Sequence, residues 1–525
     1  MRDPVLALVP HPVRCKRLGD AVFALRATTR LIASGPLFPA AEMLAVRLRQ
    51  STGWPLPIAA RRTDEAGESR IEFRQAATVL PDPEAYTLHV AAEQITITAS
   101  TSAGAFYGGQ TLLQLFPPAV FGGVPRPELA WHAPAIEIED APRFRWRGVM
   151  LDSARHFQPI DYIRKFIDLL AQHKLNVFHW HLTDDQGWRI EIKKYPRLVE
   201  VGSRRRETTK GHGKYRTEGD GLPVTGYYAQ EEIRDLVAYA TQRHVHILPE
   251  IEMPGHAQAA VAAYPKLGLL PKAREVSCRW GIHETLFNVK PDTLAFLQDV
   301  LAEVISLFPF DYIHIGGDEA VKTQWRQDAD TQASLRQLGL RDEDHLQSWF
   351  IGQMAEFLRR HGRKLVGWDE ILEGGLASGA TVMSWRGAAG GIAAARLGHD
   401  AIMCPYDAVY FDYYQGGSPS VEPLAIGGDL PLHKVHAYEP APAELPAEHA
   451  RHILGVQGQL WTEYIPTTSR LDYMAFPRIA ALAEVAWSPR ERPPFADFVT
   501  RLCGHLRRLD CQDVRYRAPL EFLHP

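Results

Sequence analysis

From Phe144 onward the chain alternates short apolar runs with stretches of helical period. The runs are Gly148-Val-Met-Leu151, Asn176-Val-Phe-His179, Val245-His-Ile-Leu248, Tyr312-Ile-His-Ile315, Lys364-Leu-Val-Gly367, Thr381-Val-Met-Ser384, Ala401-Ile-Met403 and Ile453-Leu-Gly-Val456. Each is too short for a buried helix and ends in a polar, glycine-rich or tryptophan-bearing segment, which is the pattern of a buried strand. Helical patterns over Tyr162–His173, Gln230–Arg243, Thr293–Phe308, His345–His361 and Ile392–Leu397 separate most of them. Pro291, just ahead of Thr293, suits a helix start. Eight buried strands alternating with helices predict an α/β fold, a parallel (β/α)8 barrel of the TIM type. Tyr473–Trp487 supplies its closing helix. The rival, a doubly wound open sheet, lacks a glycine-rich phosphate turn after the first strand.

The preceding residues have a different texture. Arg70-Ile-Glu-Phe-Arg74, Tyr86-Thr-Leu-His-Val90 and Gln94-Ile-Thr-Ile-Thr98 alternate as half-buried strands do, while Pro39–Gln50 and Ser102–Phe116 read as helices. The run from Pro117 to Pro142 holds six prolines and no clear period, so it reads as a linker. The expected division is a small α+β domain over 1–142, the barrel over 143–490, and a C-terminal helix and tail over 491–525 packed on the barrel.

Composition narrows the chemistry. A chain of 525 residues exceeds one ordinary core, which fits a barrel with an accessory domain. A net charge of -4 gives no reason to expect nucleic acid or an anionic membrane as partner. Val5–Val9 is too short for a signal core or a membrane span, so a soluble chain is expected. The five cysteines show no metal spacing and argue against a disulfide framework. The 12 tryptophans matter more, because several stand just past the apolar runs.

In such a barrel the strand ends build the active site. The fourth run, Tyr312-Ile-His-Ile-Gly-Gly-Asp-Glu-Ala320, breaks at two glycines and delivers the adjacent carboxylates Asp318 and Glu319. Two neighbouring acids resist ionising together, which is one way to hold a protonated and an ionised carboxyl at one pH. The first run ends in Asp152-Ser-Ala-Arg155-His156, and an arginine there can fork hydrogen bonds to hydroxyls or pair with Asp152. The second ends in His179-Trp-His-Leu-Thr-Asp184-Asp185. His179, His181 and Asp184 have the makings of a metal site, but no other run offers an obvious His/Cys cluster, so packed, hydrogen-bonded histidines are expected and no metal. The third run leads through Glu250-Ile-Glu252-Met-Pro-Gly to His256, placed to bridge Asp184 and Glu319. Trp368, Trp385 and Trp461 follow the fifth, sixth and eighth runs, and the seventh leads to Tyr410-Phe-Asp412. Acids, an arginine and indole faces without a phosphate loop describe a sugar site. A pyranose offers hydroxyls to the polar groups and C–H faces to the rings.

These motifs, taken in order, resemble the β-N-acetylhexosaminidases of glycoside hydrolase family 20. The likeness rests on His314-Ile-Gly-Gly-Asp318-Glu319, Asp152-Ser-Ala-Arg155-His156, the His179–Trp188 segment, Met253-Pro-Gly-His256, Trp385 and Leu460-Trp461-Thr-Glu463-Tyr464. It runs from about 144 to 487, and residues 1–142 resemble the small domain that precedes the barrel in that family. The resemblance implies an exo-acting retaining enzyme that removes terminal β-linked GlcNAc or GalNAc from a small oligosaccharide or glycan, without a cofactor. Ordinary retaining glycosidases set an acid and a nucleophile about 5 Å apart across the scissile bond, which neighbours on one turn cannot do. In the family's scheme the substrate's 2-acetamido oxygen is the nucleophile and an oxazolinium-type intermediate forms.

By the same resemblance Glu319 is the acid and then the base, Asp318 holds the acetamide N–H, and Tyr410 donates to the acetamide oxygen. Trp368, Trp385 and Trp461 enclose the sugar. Arg155, Asp412 and Glu463 bind its hydroxyls, and Asp184 and His256 support Glu319. Two features depart from the pattern: Glu252 stands where many relatives have Asp, and Tyr413 and Tyr414 follow the Tyr-Phe-Asp segment. A carbohydrate-binding barrel without turnover and a β-glycosidase for sugars lacking the N-acetyl group are the alternative readings.

Overall fold

The structure, a computed structural model, describes residues 6–61, 69–76, 81–214, 218–269, 275–417 and 419–523. All eight apolar runs are strands of one closed parallel barrel. In chain order they are Trp146–Asp152, Val177–His181, His246–Glu250, Tyr312–His314, Lys364–Trp368, Thr381–Ser384, Ala401–Met403 and Ile453–Leu460. The eighth strand closes on the first in the register Gly455–Trp146 through Leu460–Leu151. At the C-terminal ends the register aligns polar residues. Asp152 lies opposite His181, His181 opposite Glu250, and Glu250 opposite His314.

The N-terminal residues form a seven-stranded sheet in the spatial order Arg14–Ala24, His132–Asp140, Tyr86–Val90, Gln94–Ala99, Arg70–Gln75, Arg30–Ile32, Ile58–Ala59. The helices Phe38–Thr52 and Ser102–Leu115 pack on it. The proline-rich run is therefore not a plain linker. His132–Asp140 is an internal strand, with Ala133, Ile136 and Ile138 buried. Its period is hidden because Pro134 interrupts it. That proline sits where the pairing with the first strand jumps from Arg17–Ile136 to Val22–Pro134, a place where the missing N–H is tolerated. The closing helix also differs from expectation. Pro477, which has no N–H to donate, divides it into Thr468–Ala475 and Arg478–Trp487.

Buried ion pairs fasten the sheet to the N-terminal end of the barrel. Lys174 Nζ donates to Asp140 Oδ2 at 2.7 Å and to the Tyr86 hydroxyl at 2.9 Å, and Trp487 Nε1 donates to Asp140 Oδ1 at 2.9 Å. Arg147 forks onto both oxygens of Glu84 at 2.8 and 2.9 Å. The helix Phe495–Asp510 lies against the same assembly: Arg501 grips Glu484 at 2.7 and 2.6 Å and donates to the Leu8 carbonyl. Among the described residues no helix is long and apolar enough to cross a membrane.

Candidate active site

The two acids owe their position to the glycines before them. Gly316 has φ of 69°, and a Cβ there would lie 1.8 Å from Glu252 Oε2. No side chain fits between strand and carboxyl, so the chain must turn on glycine. Glu319 itself has φ of 45° and His256 φ of 49°, left-handed values that non-glycine residues seldom adopt. Such strain persists only where the surroundings hold it, and it gathers at functional sites.

These turns open on a cavity of about 420 Å³ at the C-terminal mouth of the barrel. Arg155, His256, Asp318, Glu319, Trp368, Trp385, Tyr410, Asp412, Trp461 and Glu463 all line it. Asp184 does not line it. It lies behind, with Oδ1 at 3.2 Å from His256 Nδ1 and Oδ2 at 2.8 Å from Arg155 Nη2. His256 Nε2 then faces both acids, 3.6 Å from Asp318 Oδ2 and 3.6 Å from Glu319 Oε2. The pairing of Arg155 with Asp152 is present, at 3.4 Å, and is the longer of its two carboxylate contacts. Arg155 also lies over the Trp461 ring, with 5.2 Å to the centroid.

The indoles form walls. Trp368 and Trp461 have centroids 5.8 Å apart, and Trp385 stacks with Tyr410 at 6.3 Å. Of the three tyrosines after the seventh run, Tyr410 is the deepest, at 7% exposed, while Tyr413 lines the rim and Tyr414 lies outside the lining.

Electrostatics at the mouth are unbalanced. Burial opposes a charged His256, but Asp184 and Asp318 outweigh it and hold the imidazole well above its ordinary range. Burial, then the neighbouring Glu463, pushes Asp412 well up. Burial raises Glu463 against the pull of Arg155. Buried Glu252, beside Asp318 and Glu250, is pushed well up, and neither of its oxygens has a hydrogen-bond partner among the described residues. The Glu that stands here in place of the commoner Asp thus makes no side-chain hydrogen bond to the described residues. It packs against the glycine turn instead. Asp318 Oδ1, Asp412 Oδ1 and His256 Nε2 are buried and likewise have no hydrogen-bond partner among the described residues, and they face space a polar ligand can fill.

Some lining residues carried no usable sequence signal. Trp280 stands in an irregular stretch between helices, and His212 and Gly213 belong to a loop that docks on Tyr464 and the Ile426 carbonyl. Tyr464 directly follows Glu463, and that adjacency was its one visible hint. Outside the lining, Glu370 accepts from the Trp385 indole at 2.9 Å, and it was equally silent. The histidines of the second run are buried and hydrogen-bonded, His181 to Glu250 and Asp184 and His179 to Gln457. The fold brings Glu250 and His314 from two other strands to His179 and His181. Ring nitrogens of all three histidines lie within 3.0 Å of the Glu250 carboxylate, which also accepts from Trp368 Nε1 at 2.8 Å.

Residues 144–490 match glycosyl hydrolase family 20, catalytic domain, and residues 5–141 match domain 2 of that family. A β-hexosaminidase of Porphyromonas gingivalis is 46% identical over 521 residues, covering 99% of this chain and 65% of the relative, so the chain spans a little under two thirds of that protein. A β-N-acetylhexosaminidase of Cellulomonas fimi is 31% identical over 98% of this chain and 96% of its own. Among solved structures, an exo-β-N-acetylglucosaminidase from Vibrio harveyi in complex with N-acetylglucosamine superposes with a TM-score of 0.85 at 35% identity, covering 98% of this chain and 79% of that one. Both domains, the order of the strand-end motifs and these likenesses agree: the chain belongs to glycosyl hydrolase family 20.

Proposed function

We propose that the protein is an exo-acting retaining β-N-acetylhexosaminidase that releases terminal β-linked GlcNAc or GalNAc from small oligosaccharides or glycans. One observation carries the mechanism: Asp318 and Glu319 share one turn and one imidazole neighbour, 3.6 Å from each. Carboxylates so placed cannot flank a sugar ring from opposite faces as the two-carboxylate scheme requires. They can serve two adjacent atoms of one substrate.

In the proposed reaction Glu319 gives its proton to the glycosidic oxygen as the bond to the anomeric carbon breaks. The 2-acetamido oxygen forms the new bond to that carbon. Asp318 accepts from the acetamide N–H and stabilises the positive charge of the oxazolinium ion. Tyr410 donates to the acetamide oxygen and aligns it, a gain in effective molarity rather than in acidity. Glu319, now a carboxylate, takes a proton from water. The water oxygen adds to the anomeric carbon on the face the leaving group left, and the ring opens to the acetamide with configuration retained. Trp368, Trp385 and Trp461 enclose the N-acetyl group and ring. Arg155, Asp412 and Glu463 bind hydroxyls, and the high-lying acid of Asp412 can donate as well as accept. Asp184 orients His256 behind Glu319.

Comparing aryl N-acetyl-β-glucosaminide with the plain aryl β-glucoside tests this. The expected result is turnover of the first, with release of the β-anomer, and none of the second, which has no internal nucleophile. A thiazoline analogue of the cyclic intermediate should inhibit strongly. Indifference to it, or a sugar trapped covalently on a protein carboxylate, rejects the scheme. Absence of turnover on both aryl sugars favours a binding barrel instead.

A further inference from the structure

Beneath the cavity floor lies a carboxylate with no exposure that three neighbouring strands address. Glu250 Oε2 accepts from His181 Nδ1, and its Oε1 accepts from Trp368 Nε1 at 2.8 Å. His181 donates its other ring proton, on Nε2, to Asp184 Oδ2 at 2.9 Å. Asp184 Oδ1 lies 3.2 Å from His256 Nδ1, and His256 Nε2 lies 3.6 Å from Glu319 Oε2. Acidic and basic groups therefore alternate along one line, Glu250, His181, Asp184 and His256, which ends against Glu319. An imidazole between two carboxylate acceptors must carry both protons to satisfy them. The register explains the alignment, since Glu250 is directly opposite His181 across the strand pair.

We propose that Glu250 is a positioning residue that serves both parts of the reaction at once, holding the His181–Asp184–His256 line behind the acid Glu319 and the Trp368 wall of the acetamide box. The inference rests on the hexosaminidase reading above and deepens it. The acid leaves behind a carboxylate at the moment the leaving oxygen is protonated, and a fixed cation on its flank stabilises that charge without reorganisation. Glu250 keeps the last link of that chain ionic.

The surroundings agree on which imidazole carries charge. Burial opposes a charged His181, but Glu250 outweighs it and lifts the residue to about 10. Burial lowers His179 to about 4 despite Glu250 at 3.0 Å from its Nε2. The other titratable groups facing this centre are His314 on the fourth strand, Asp152 on the first, Glu252 beyond Glu250 on the same chain segment, and Cys404 after the seventh. Of these only His314 can add a positive charge. Its Nδ1 lies 2.8 Å from Glu250 Oε1, on the side of the carboxylate away from the His181–Asp184–His256 line.

The test is the dependence on leaving group. A phenyl N-acetyl-β-glucosaminide needs its oxygen protonated, whereas a dinitrophenyl one leaves as a stable anion. Glu250→Gln keeps an oxygen for the Trp368 indole and removes the charge. It should lower kcat/KM for the phenyl substrate by about tenfold or more and leave the dinitrophenyl substrate within about threefold. Equal losses on both, or no loss on either, overturn the proposal. If Glu250→Gln fails to fold, His181→Gln leaves the Glu250–Trp368 bond intact and should show the same selectivity for the poorer leaving group. Its indifference overturns the proposal equally. Trp368→Phe, which cuts only the indole branch, should raise KM for both substrates alike, and a leaving-group effect there would mean the two branches are not separate. Lack of turnover of either substrate by the unmodified enzyme counts against the hexosaminidase reading itself and is thereby told apart.

Discussion

At the N-terminal end of the barrel the buried cations Lys174 and Arg147 each meet a carboxylate. Lys174 is bonded to Asp140, Arg147 forks onto Glu84, and the remaining lone pairs of Asp140 take donors from Tyr86 and Trp487. At the C-terminal end the signs do not balance. Asp318, Glu319, Asp412 and Glu463 line the cavity with Arg155 and His256, Glu252 lies beside Asp318, Glu370 lies between Asp318 and Arg386, and Asp318 and Asp412 each keep an oxygen without a hydrogen-bond partner among the described residues. Burial has the same cost per charge at both ends. At one end the protein itself offsets it. At the other the offset is left to whatever enters. This is the physical content of the rule that one face of such a barrel holds the fold together and the other does the chemistry.

The contrast is broken most directly at Glu319 and Asp318. Glu319→Gln and Asp318→Asn should each lower kcat on an aryl N-acetyl-β-glucosaminide by at least about a hundredfold. The thermal midpoint should stay within a few degrees of the parent, because neither side chain anchors another element. A large drop in midpoint with retained activity would place these acids with the structural charges.

The opposite substitution comes next. Lys174→Met leaves Asp140 buried with one donor fewer, and breaking such a pair destabilises by about 3–5 kcal/mol. Thermal unfolding should register this, while KM and kcat measured well below the midpoint stay unchanged. Lost activity in a folded Lys174→Met protein would deny that the two ends are separate. Smaller again is Tyr410→Phe, which should cost about a hundredfold at most on the N-acetyl substrate, as removal of one aligned donor does. Tyr413→Phe, on the rim, should cost far less. Equal effects would move the donor role outward.

What the sequence made legible follows the same division. The barrel strands announce themselves because both their faces are buried, so each is a short apolar run with no polar alternation. Asp318, Trp368 and Trp461 were readable because they stand immediately past such runs. Glu250 was not, since its role depends on lying opposite His181 and His314, a register that no single run encodes. Trp280 and the loop bearing His212 have no periodicity, and their place at the cavity is set by contacts with Tyr464 and Ile426 far along the chain. His132–Asp140 was missed for another reason. Pro134 sits within the strand at a break in its pairing, and sequence pattern treats proline as a strand breaker.

The smallest expected effect separates the two ends by pH. Burial, and then the charge of Asp318, raises Glu370 from its usual 4.5 to about 8, against the pull of the Trp385 indole and Arg386. Between those values the folded protein holds a proton that the unfolded chain has released. The folded state binds more protons there, so stability falls as pH rises. The contribution is fully present below about 4.5 and gone above about 8. Glu370→Gln removes the titration while keeping an oxygen for the Trp385 indole. The thermal midpoint of the variant should therefore fall less between pH 5 and 9 than that of the parent. At the alkaline end the variant should melt higher. No such gain is expected from removing Glu84 at the other end, where Arg147 outweighs burial and holds the carboxyl below its ordinary range. There the sign reverses: stability is present above the usual carboxyl value and lost as pH falls through the lowered one. A parent and a Glu370→Gln variant with parallel midpoint curves would mean that Glu370 is already ionised in the fold, and that the acid surplus at the mouth is balanced by the protein after all.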